Sequence, residues 1–311
     1  MYFYIGYLSG GSLECLSFLR RRSIKHKWVA MIIVNYKGRM GNNMFQYSLG
    51  RILAEEMGYY FHASAVDGFK KTNTTLEPTG EIVMAPEPIR LRGQHLEIDG
   101  QRVDIKTFLK RAMGQEVHLE GGFFQRYEHY KSYKDRIRKW FEIEDLNVGQ
   151  TNNDIIIHLR MGDCILDSLA QDPYIMPFEY YDAALNATSF DRLYICSDPH
   201  TLDHSLFLEY MEKFSKYNPE LLRGDQMEDF RAIKSFNKII ISQSTYSWWA
   251  AFLSKASEIF VPVPEPGAHR HEWSIASPGV ALFVDDEESY KYIKQYKDGW
   301  KLVDLQDIEE R

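Results

Sequence analysis

Residues 155–163 join an aliphatic run to side chains that can bind an anion and move a proton. His158, Arg160 and Asp163 follow the isoleucines, at the point where a buried strand would end. The planar guanidinium of Arg160 suits a phosphate group. The carboxylate of Asp163 or the imidazole of His158 can accept a proton from a hydroxyl within hydrogen-bond reach. This spacing predicts a site for an anionic substrate.

The chain around this segment alternates strands with helices. Because the apolar run at 155–159 is unbroken, we expect a strand that is buried on both faces of a parallel sheet. Ligands gather at the carboxyl ends of such strands, which is where Arg160 would lie. The alternation predicts parallel βαβ units, with strands at 155–159, 193–196, 238–241 and 258–263 and helices at 178–186, 206–217, 228–235 and 246–255.

Two further strand ends in this half carry polar residues. Ser197 and Asp198 follow one strand, and residues 242–245 follow the next. Ser244 or Thr245 would cap the helix that begins near residue 246, and helix N-termini bind phosphate through their backbone N–H groups. Polar ends on successive units indicate one shared crevice.

The first half of the chain contains a second candidate loop. Gly38 and Gly41 lie between a predicted strand and a predicted helix, where glycine permits tight turns and the close approach of a ligand. The loop matches neither the dinucleotide fingerprint GxGxxG nor a P-loop. Its expected place at a strand end would bring Asn42 to face Arg160.

These patterns predict an α/β fold made of two Rossmann-like domains that face a central cleft. The expected divisions are an N-terminal extension at 1–30, a first domain at 31–148, a second domain at 149–285 and a C-terminal tail or helix at 286–311. In the first domain we expect a strand at 31–36, a helix at 44–57, irregular chain at 62–105, a strand at 117–120 and a helix at 130–141.

The composition of the 311 residues is that of an ordinary globular protein. A net charge of −7 disfavours nucleic acid as a partner, so any phosphate site must be local. No stretch approaches the roughly 18 apolar residues that span a bilayer. In residues 1–30 the basic cluster follows the apolar stretch, the reverse of a secretory signal. We expect a cytoplasmic protein that starts at Met31 or has a loose tail, or else a tail that touches the inner face of a membrane.

The sequence contains no Asp-x-Asp triplet, the carboxylate pattern with which many nucleotide-sugar transferases hold a metal. If this protein transfers a sugar, the charge on the leaving group must be met by arginine, amide and backbone donors instead. We therefore expect no metal ion and no cofactor.

Four segments together resemble motifs of the α-1,2-fucosyltransferases (glycosyltransferase family 11). Residues 38–47 resemble the motif GGLGNQMFQY of that family, and residues 158–163 resemble the HxRxGD motif that it shares with other fucosyltransferases. Residues 122–125 are similar to its GYFQ element, and residues 244–251 to its STFSWWxA block. The Ser-Asp pair at 197–198 also stands where the family has one.

The resemblance implies an inverting GT-B enzyme that moves L-fucose from GDP-β-L-fucose to the 2-hydroxyl of a terminal galactoside without a metal. The second domain would bind GDP-fucose, and the first would bind the acceptor, an oligosaccharide or a glycolipid. Arg160 would contact the β-phosphate with help from Asn42, while Asp163, or else His158, would be the base. The other implied donor contacts are Gly38, Gly41, Ser197, Asp198, Ser244, Thr245 and Ser247.

Three residues depart from the family pattern. Met161 replaces a second arginine, Gln243 replaces an asparagine and Arg39 replaces a glycine. These departures concern the donor contacts and the acceptor range more than the class of enzyme. Two other functions stay open from the sequence: transfer of a different nucleotide sugar on the same scaffold, and binding of a sugar or nucleotide without turnover.

Overall fold

A computed structural model describes residues 30–77, 87–166, 175–263 and 289–304. Apart from Ala30, the expected extension at 1–30 lies outside these residues, and the side chain of Asp163 is also outside the description. The described chain is α/β with parallel sheets, which confirms the predicted class.

The first sheet is built from the N-terminal part of the chain. Its strands are β1 (Met31–Asn35), β2 (Tyr60–His62), β3 (Ile89–Leu91) and β6 (Val117–Glu120). They are all parallel, in the order β2-β1-β6-β3. A separate antiparallel pair consists of β4 (Glu97–Ile98) and β5 (Gln101–Arg102).

The second sheet has seven described strands. They are β7 (Ile155–Leu159), β8 (Leu193–Ser197), β9 (Glu220–Leu221), β10 (Lys238–Ile240), β11 (Glu258–Val263), β12 (Tyr290–Tyr296) and β13 (Gly299–Val303). Their order is β13-β12-β11-β10-β7-β8-β9, and only β13 runs antiparallel to its neighbour. The isoleucines of β7 are completely buried, which confirms a strand covered on both faces.

Helices connect these strands. They are α1 (Met40–Met57), α2 (Ile105–Arg111), α3 (Lys134–Trp140), α4 (Gly162–Leu166), α5 (Phe178–Asn186), α6 (Ser205–Phe214), α7 (Gln226–Ser235) and α8 (Thr245–Leu253). The predicted helices at 130–141 and 206–217 are shorter than expected, because 3-10 turns replace their ends at Lys131–Tyr133 and Ser215–Tyr217.

Helix α1 begins at Met40 rather than at residue 44. The turn before it is completed at Gly38, whose φ of +86° lies in the left-handed region that favours glycine. Arg39 is extended and serves as the N-cap, so the following residues, including Gly41, are already helical. The helix ends at Gly58 in the left-handed conformation, as the sequence predicts.

Two predictions about secondary structure are wrong for the described residues, one of irregular chain and one of a tail or helix. The stretch 62–105 contains β3, β4 and β5, which are too short to show an alternation of apolar and polar residues. The stretch 286–311 was expected to be a tail or a helix, but its described part forms the hairpin of β12 and β13. The two strands are joined by a two-residue turn, Lys297 and Asp298, and β12 also pairs with β11.

An apolar core joins the two sheets. Phe45 of α1 packs against Trp248 and Trp249 of α8, with ring centroids 4.7 and 4.8 Å apart. All three side chains are fully buried, so the tryptophan pair belongs to the core. The cluster that contains them includes residues from β1 through β12 and is shared by the two sheets. It therefore holds α1 and α8 in one fixed arrangement.

Candidate active site

A cleft of about 720 Å³ lies where the carboxyl ends of strands from both sheets meet. The first sheet contributes the loop before α1 together with Phe123 and Gln125. The second sheet contributes the ends of β7 and β8, the start of α7 and the start of α8. The lining includes residues 38–42, 158–162, 197–200 and 244–246, so most of the residues predicted from sequence are brought together here.

The N-termini of α1 and α8 meet at this cleft. Trp249 of α8 donates its indole N–H to the carbonyl oxygen of Gly41 at 3.0 Å. A Cβ atom on Gly41 would lie 2.7 Å from the carbonyl carbon of Thr245, so only glycine allows this approach. The first N–H groups of each helix have no partner within the helix itself, and the positive end of the helix dipole lies beside them. Together they make the cleft favourable for an anion.

Arg160 lies just after β7 and lines the cleft. Its guanidinium donates a hydrogen bond to the carbonyl oxygen of Gln243, in the segment before α8. Because the acceptor is a main-chain oxygen, the contact does not depend on which side chain stands at residue 243. A guanidinium has five N–H donors, so Arg160 has the capacity to bind an anion as well.

His158 is held as a neutral imidazole. Its Nδ1 atom is 3.0 Å from the hydroxyl oxygen of Ser242, and its ring lies against that of Tyr246. Burial, together with the positive charge of Arg160, lowers the pKa of His158 to about 3. An imidazole in this place resists protonation, which disfavours it as a general base and suits a hydrogen-bonding role.

Asn42 projects from the first turn of α1 into the same cleft. Its carbonyl oxygen accepts a hydrogen bond from the Gln125 amide at 2.8 Å. Its amide nitrogen makes no hydrogen bond to any described residue. A Cβ atom on Gly38 would lie 2.3 Å from that nitrogen, so glycine at 38 leaves the space that the amide occupies. Asn42 thus offers a donor for a ligand.

Gln46 fixes the loop that carries Gly38. Its amide nitrogen donates to the carbonyl oxygen of Lys37 at 2.8 Å, while its amide oxygen accepts from the N–H of the same residue at 2.9 Å. The side chain is buried on α1, so the helix closes the loop with a pair of hydrogen bonds. Sequence reasoning matched this glutamine to a family motif but gave it no role.

Ser197 and Asp198 mainly build the wall of the cleft. The hydroxyl of Ser197 donates to the carbonyl oxygen of Leu159 at 2.8 Å and ties β8 to β7. The carboxylate of Asp198 accepts from the N–H of His200 at 3.0 Å and caps a 3-10 turn. A Cβ atom on Gly162 would lie 2.7 Å from the other carboxylate oxygen of Asp198. A larger residue at 162 would therefore displace the Asp198 carboxylate.

The hydroxyl side chains at the start of α8 differ in whether they face the cleft. Ser244 and Thr245 line the cleft, whereas Ser247 is completely buried and is absent from the lining. The hydroxyl of Ser247 donates to the carbonyl oxygen of Ser244 at 3.3 Å, inside the first turn of the helix. Ser247 therefore supports the helix start and does not face a ligand.

The three departures from the family pattern have different surroundings. Met161 is buried within an apolar cluster of the second sheet, so this position is occupied without a charge. Gln243 is also buried, and its main chain makes the contact with Arg160. Arg39 is exposed at the rim of the cleft beside the N-terminus of α1.

Asp229 is a site residue that the sequence did not reveal. It lies in the first turns of α7, lines the cleft and is 7% exposed. Burial raises its pKa to about 6, and the nearby acids Asp225, Glu228 and Asp198 add to the effect. Acids are common near helix N-termini, so the sequence gave no signal that this carboxylate faces a cavity. It is suited to accept hydrogen bonds from a ligand.

Comparison with known proteins identifies the family. The sequence model of glycosyl transferase family 11 matches residues 14–275, which is most of the chain. The chain belongs to this family. It is also 21% identical over 290 residues to an alpha-1,2-colitosyltransferase of Escherichia coli, a match that covers 80% of this chain and 97% of that protein. No solved structure matches the chain significantly.

The family 11 assignment makes this protein a glycosyltransferase, and it suggests a nucleotide-sugar donor and a glycan acceptor. Among the described residues, no helix is both long and apolar enough to cross a membrane. In the same part of the chain, no three His, Cys, Asp or Glu side chains come together in a way that could hold a metal ion.

Proposed function

We propose that this glycosyltransferase moves L-fucose from GDP-β-L-fucose to the 2-hydroxyl of a terminal galactoside, with inversion at the anomeric carbon. In this proposal the enzyme has a GT-B arrangement and works without a metal ion or other cofactor. Residues 149–285 would mainly bind the donor, and residues 31–148 would mainly bind the acceptor. The family match and the motif resemblance support the class, and the cleft supports the donor.

One observation carries the proposal: a guanidinium and the N-termini of two helices meet in a single cleft. Arg160 provides a positive charge, while α1 and α8 provide backbone N–H groups and helix dipoles. Asn42 adds an amide donor from the first sheet. A diphosphate carries its charge on oxygens that accept from all of these donors. The cleft can therefore balance the charge on a departing nucleoside diphosphate.

The proposed reaction is a direct displacement. The acceptor 2-oxygen forms a bond to C1 of fucose as the bond from C1 to the β-phosphate oxygen breaks, and the electron pair leaves with GDP. Arg160 and Asn42 stabilise the developing charge on that oxygen. Asp163 is the proposed base that takes the hydroxyl proton, because the environment of His158 disfavours its protonation.

The base assignment has a direct test. Asp163→Asn keeps the size of the side chain and removes its basicity, so kcat should fall by about 10²-fold or more if Asp163 accepts the proton. GDP affinity and thermal stability should change little, and both are to be measured beside kcat. A kcat close to that of the unaltered enzyme, with the fold intact, would exclude Asp163 from this role.

Asp229 is proposed to accept hydrogen bonds from the base of the nucleotide. Guanine presents two adjacent donors, the ring N1–H and the exocyclic amine, whereas adenine and uracil do not. A buried carboxylate accepts such a pair well when ionised and poorly when protonated. Because the pKa of Asp229 is about 6, GDP affinity should fall as the pH is lowered through 6.

Titration calorimetry with GDP at pH 7.5 and pH 5, on the unaltered enzyme and on Asp229→Asn, tests this role. At pH 7.5 we expect the variant to bind GDP about tenfold more weakly. The GDP phosphate also titrates near pH 6, but that effect is common to both proteins. The part of the pH dependence that belongs to Asp229 should disappear in the variant. An equal pH dependence in the two proteins would contradict the proposal.

The same substitution should affect stability in the opposite direction. Folding raises the pKa of Asp229 above its ordinary value of 3.8, so the ionised form is disfavoured in the folded chain. The resulting loss of stability is absent at low pH and complete above about pH 6. The melting temperature of Asp229→Asn without nucleotide should therefore exceed that of the unaltered enzyme at pH 7.5, and the difference should shrink at pH 4.

A comparison of nucleotides tests the donor class as a whole. We expect GDP to bind more tightly than UDP or ADP in titrations at pH 7.5. Tighter binding of UDP would favour a different nucleotide-sugar transferase on this scaffold. Binding of GDP-fucose with neither transfer nor hydrolysis would indicate a binding protein without turnover.

The similarity to a colitosyltransferase favours one second candidate function. Colitose is L-fucose that lacks the 3-hydroxyl, so one cleft can accept the phosphates of either donor. The two donors differ only in a group that lies away from the diphosphate. Measurement of kcat/KM with GDP-fucose and GDP-colitose on the same acceptor separates these functions.

A further inference from the structure

The loop after β6 holds a buried residue in a strained conformation. Phe124 is fully buried and has a φ of +52°, a region that residues other than glycine rarely adopt. Its carbonyl oxygen accepts from the Tyr130 hydroxyl at 2.6 Å and from the N–H of Arg126 at 2.8 Å. A Cβ atom on Gly122 would lie 2.3 Å from the carbonyl oxygen of Gly93, so this loop is packed tightly against its neighbour.

This loop places Gln125 beside Asn42. The N–H of Gln125 donates to the side-chain oxygen of Gln94 at 2.9 Å, which fixes its backbone. Its side-chain nitrogen then donates to the side-chain oxygen of Asn42 at 2.8 Å. Gln125 is 4% exposed, so water does not compete freely for this hydrogen bond. Backbone strain that is over-determined by the surrounding contacts is typical of residues that pre-organise a site.

The hydrogen bond decides which end of the Asn42 amide is available to a ligand. An amide has a donor end and an acceptor end of nearly the same size, and the two can exchange by rotation. In the structure the Gln125 side chain presents its nitrogen, so the oxygen of Asn42 faces Gln125. The nitrogen of Asn42 is then left for the cleft, where it can donate to an anion.

We propose that Gln125 is a positioning residue for the transfer reaction. It acts through Asn42 by holding the amide nitrogen toward the phosphate oxygen that leaves with GDP. This proposal rests on the proposed function for the identity of the anion, but the hydrogen bond that orients Asn42 is present in the structure whatever that anion is. The segment at 122–125 therefore orients Asn42, which belongs to the motif at 38–47.

The informative substitution is Gln125→Glu. Glutamate has the same shape as glutamine but can only accept when ionised, so the Asn42 amide must rotate to donate to it. The oxygen of Asn42 would then face the anion, and a favourable contact would become repulsive. We expect kcat/KM for transfer to fall about 10- to 100-fold, since a hydrogen bond to a charged group contributes about 1.5–3 kcal/mol.

A double-mutant cycle separates positioning from a purely structural role. Gln125→Met, which removes the donor without adding a charge to the cleft, should reduce kcat/KM about fivefold or more in the unaltered enzyme but less than about twofold when Asn42→Ala is also present, because no amide remains to be oriented. Gln101→Glu on the exposed strand β5 is the matched control, and it should leave kcat/KM unchanged.

The outcomes separate this inference from the proposed function. An equal loss in both backgrounds, or no loss in the unaltered background, would overturn the positioning role. If the unaltered enzyme does not transfer fucose, the proposed function fails. The same double-mutant cycle is then measured with the dissociation constant of GDP in place of kcat/KM. Coupling of at least fivefold in GDP affinity between Asn42 and Gln125 supports the inference, and its absence contradicts it.

Discussion

Replacing Arg160 with alanine is expected to lower kcat/KM for sugar transfer by about 10²- to 10³-fold, which corresponds to roughly 3–4 kcal/mol of transition-state stabilisation. The guanidinium lies just after β7 and is oriented by the carbonyl oxygen of Gln243. It meets the leaving phosphate most strongly when negative charge develops there, so the loss should appear mainly in kcat. Steady-state kinetics at saturating and at low donor concentration provide the measurement.

The lysine variant sharpens this prediction. Arg160→Lys keeps the charge but loses the planar fork, and lysine cannot donate to the Gln243 carbonyl and to a phosphate in the same geometry. We expect it to recover only a small part of the lost activity. Arg102→Ala, on the exposed strand β5, is the matched control for removal of an arginine. Activity of Arg160→Ala within about threefold of the unaltered enzyme would contradict a role at the phosphate.

Adding one methyl group at Gly41 is expected to have the second large effect. A Cβ atom there would lie 2.5–2.8 Å from three atoms of Thr245, and one of these belongs to the backbone. Because the start of α8 cannot move without disturbing the buried tryptophans, α1 and α8 must separate. Overpacking of this kind lowers the free energy of unfolding by about 1–3 kcal/mol. The gain in helix propensity from alanine is at most about 1 kcal/mol and does not offset it.

Gly41→Ala should also weaken GDP binding, because the two helix N-termini would no longer converge on one anion. We expect a loss in affinity of about tenfold, measured by calorimetry at a temperature where the variant is folded. Gly93→Ala is a suitable control, since a Cβ atom there meets nothing closer than 3.9 Å. A variant that keeps both its stability and its GDP affinity would show that close approach of the helices is not needed.

The parts of the fold that the sequence predicted are those with strong local patterns. The isoleucines of β7 are an unbroken apolar run, and the apolar residues of α1 repeat at helical spacing. Strands β3, β4 and β5 have two or three residues each, which is too few for any pattern. The hairpin of β12 and β13 has a local signal, the turn at Lys297 and Asp298 before Gly299, which the expectation of a tail or helix overlooked.

In the site, too, the sequence predicted what depends on residue type and missed what depends on the surrounding structure. The positions of Arg160 and Asn42 at the cleft were predictable, because a guanidinium at a strand end and a polar residue in a glycine loop are unusual features. Ser197 and Ser247 were expected to contact the donor, but their hydroxyl groups donate to neighbouring carbonyl oxygens instead. Asp229 was missed because its burial results from the packing of α7 beside β7 and α8, not from its own neighbours in sequence.

The central claim is that this family 11 glycosyltransferase is a fucosyltransferase acting on galactosides. The most direct measurement is a transfer assay with GDP-β-L-fucose and a panel of β-1,3- and β-1,4-galactosides in the presence of a metal chelator, with the product linkage determined by NMR. We predict turnover, with fucose in α linkage to the 2-oxygen of the terminal galactose. Absence of transfer from GDP-fucose to every galactoside, or transfer to a different hydroxyl, would contradict the account.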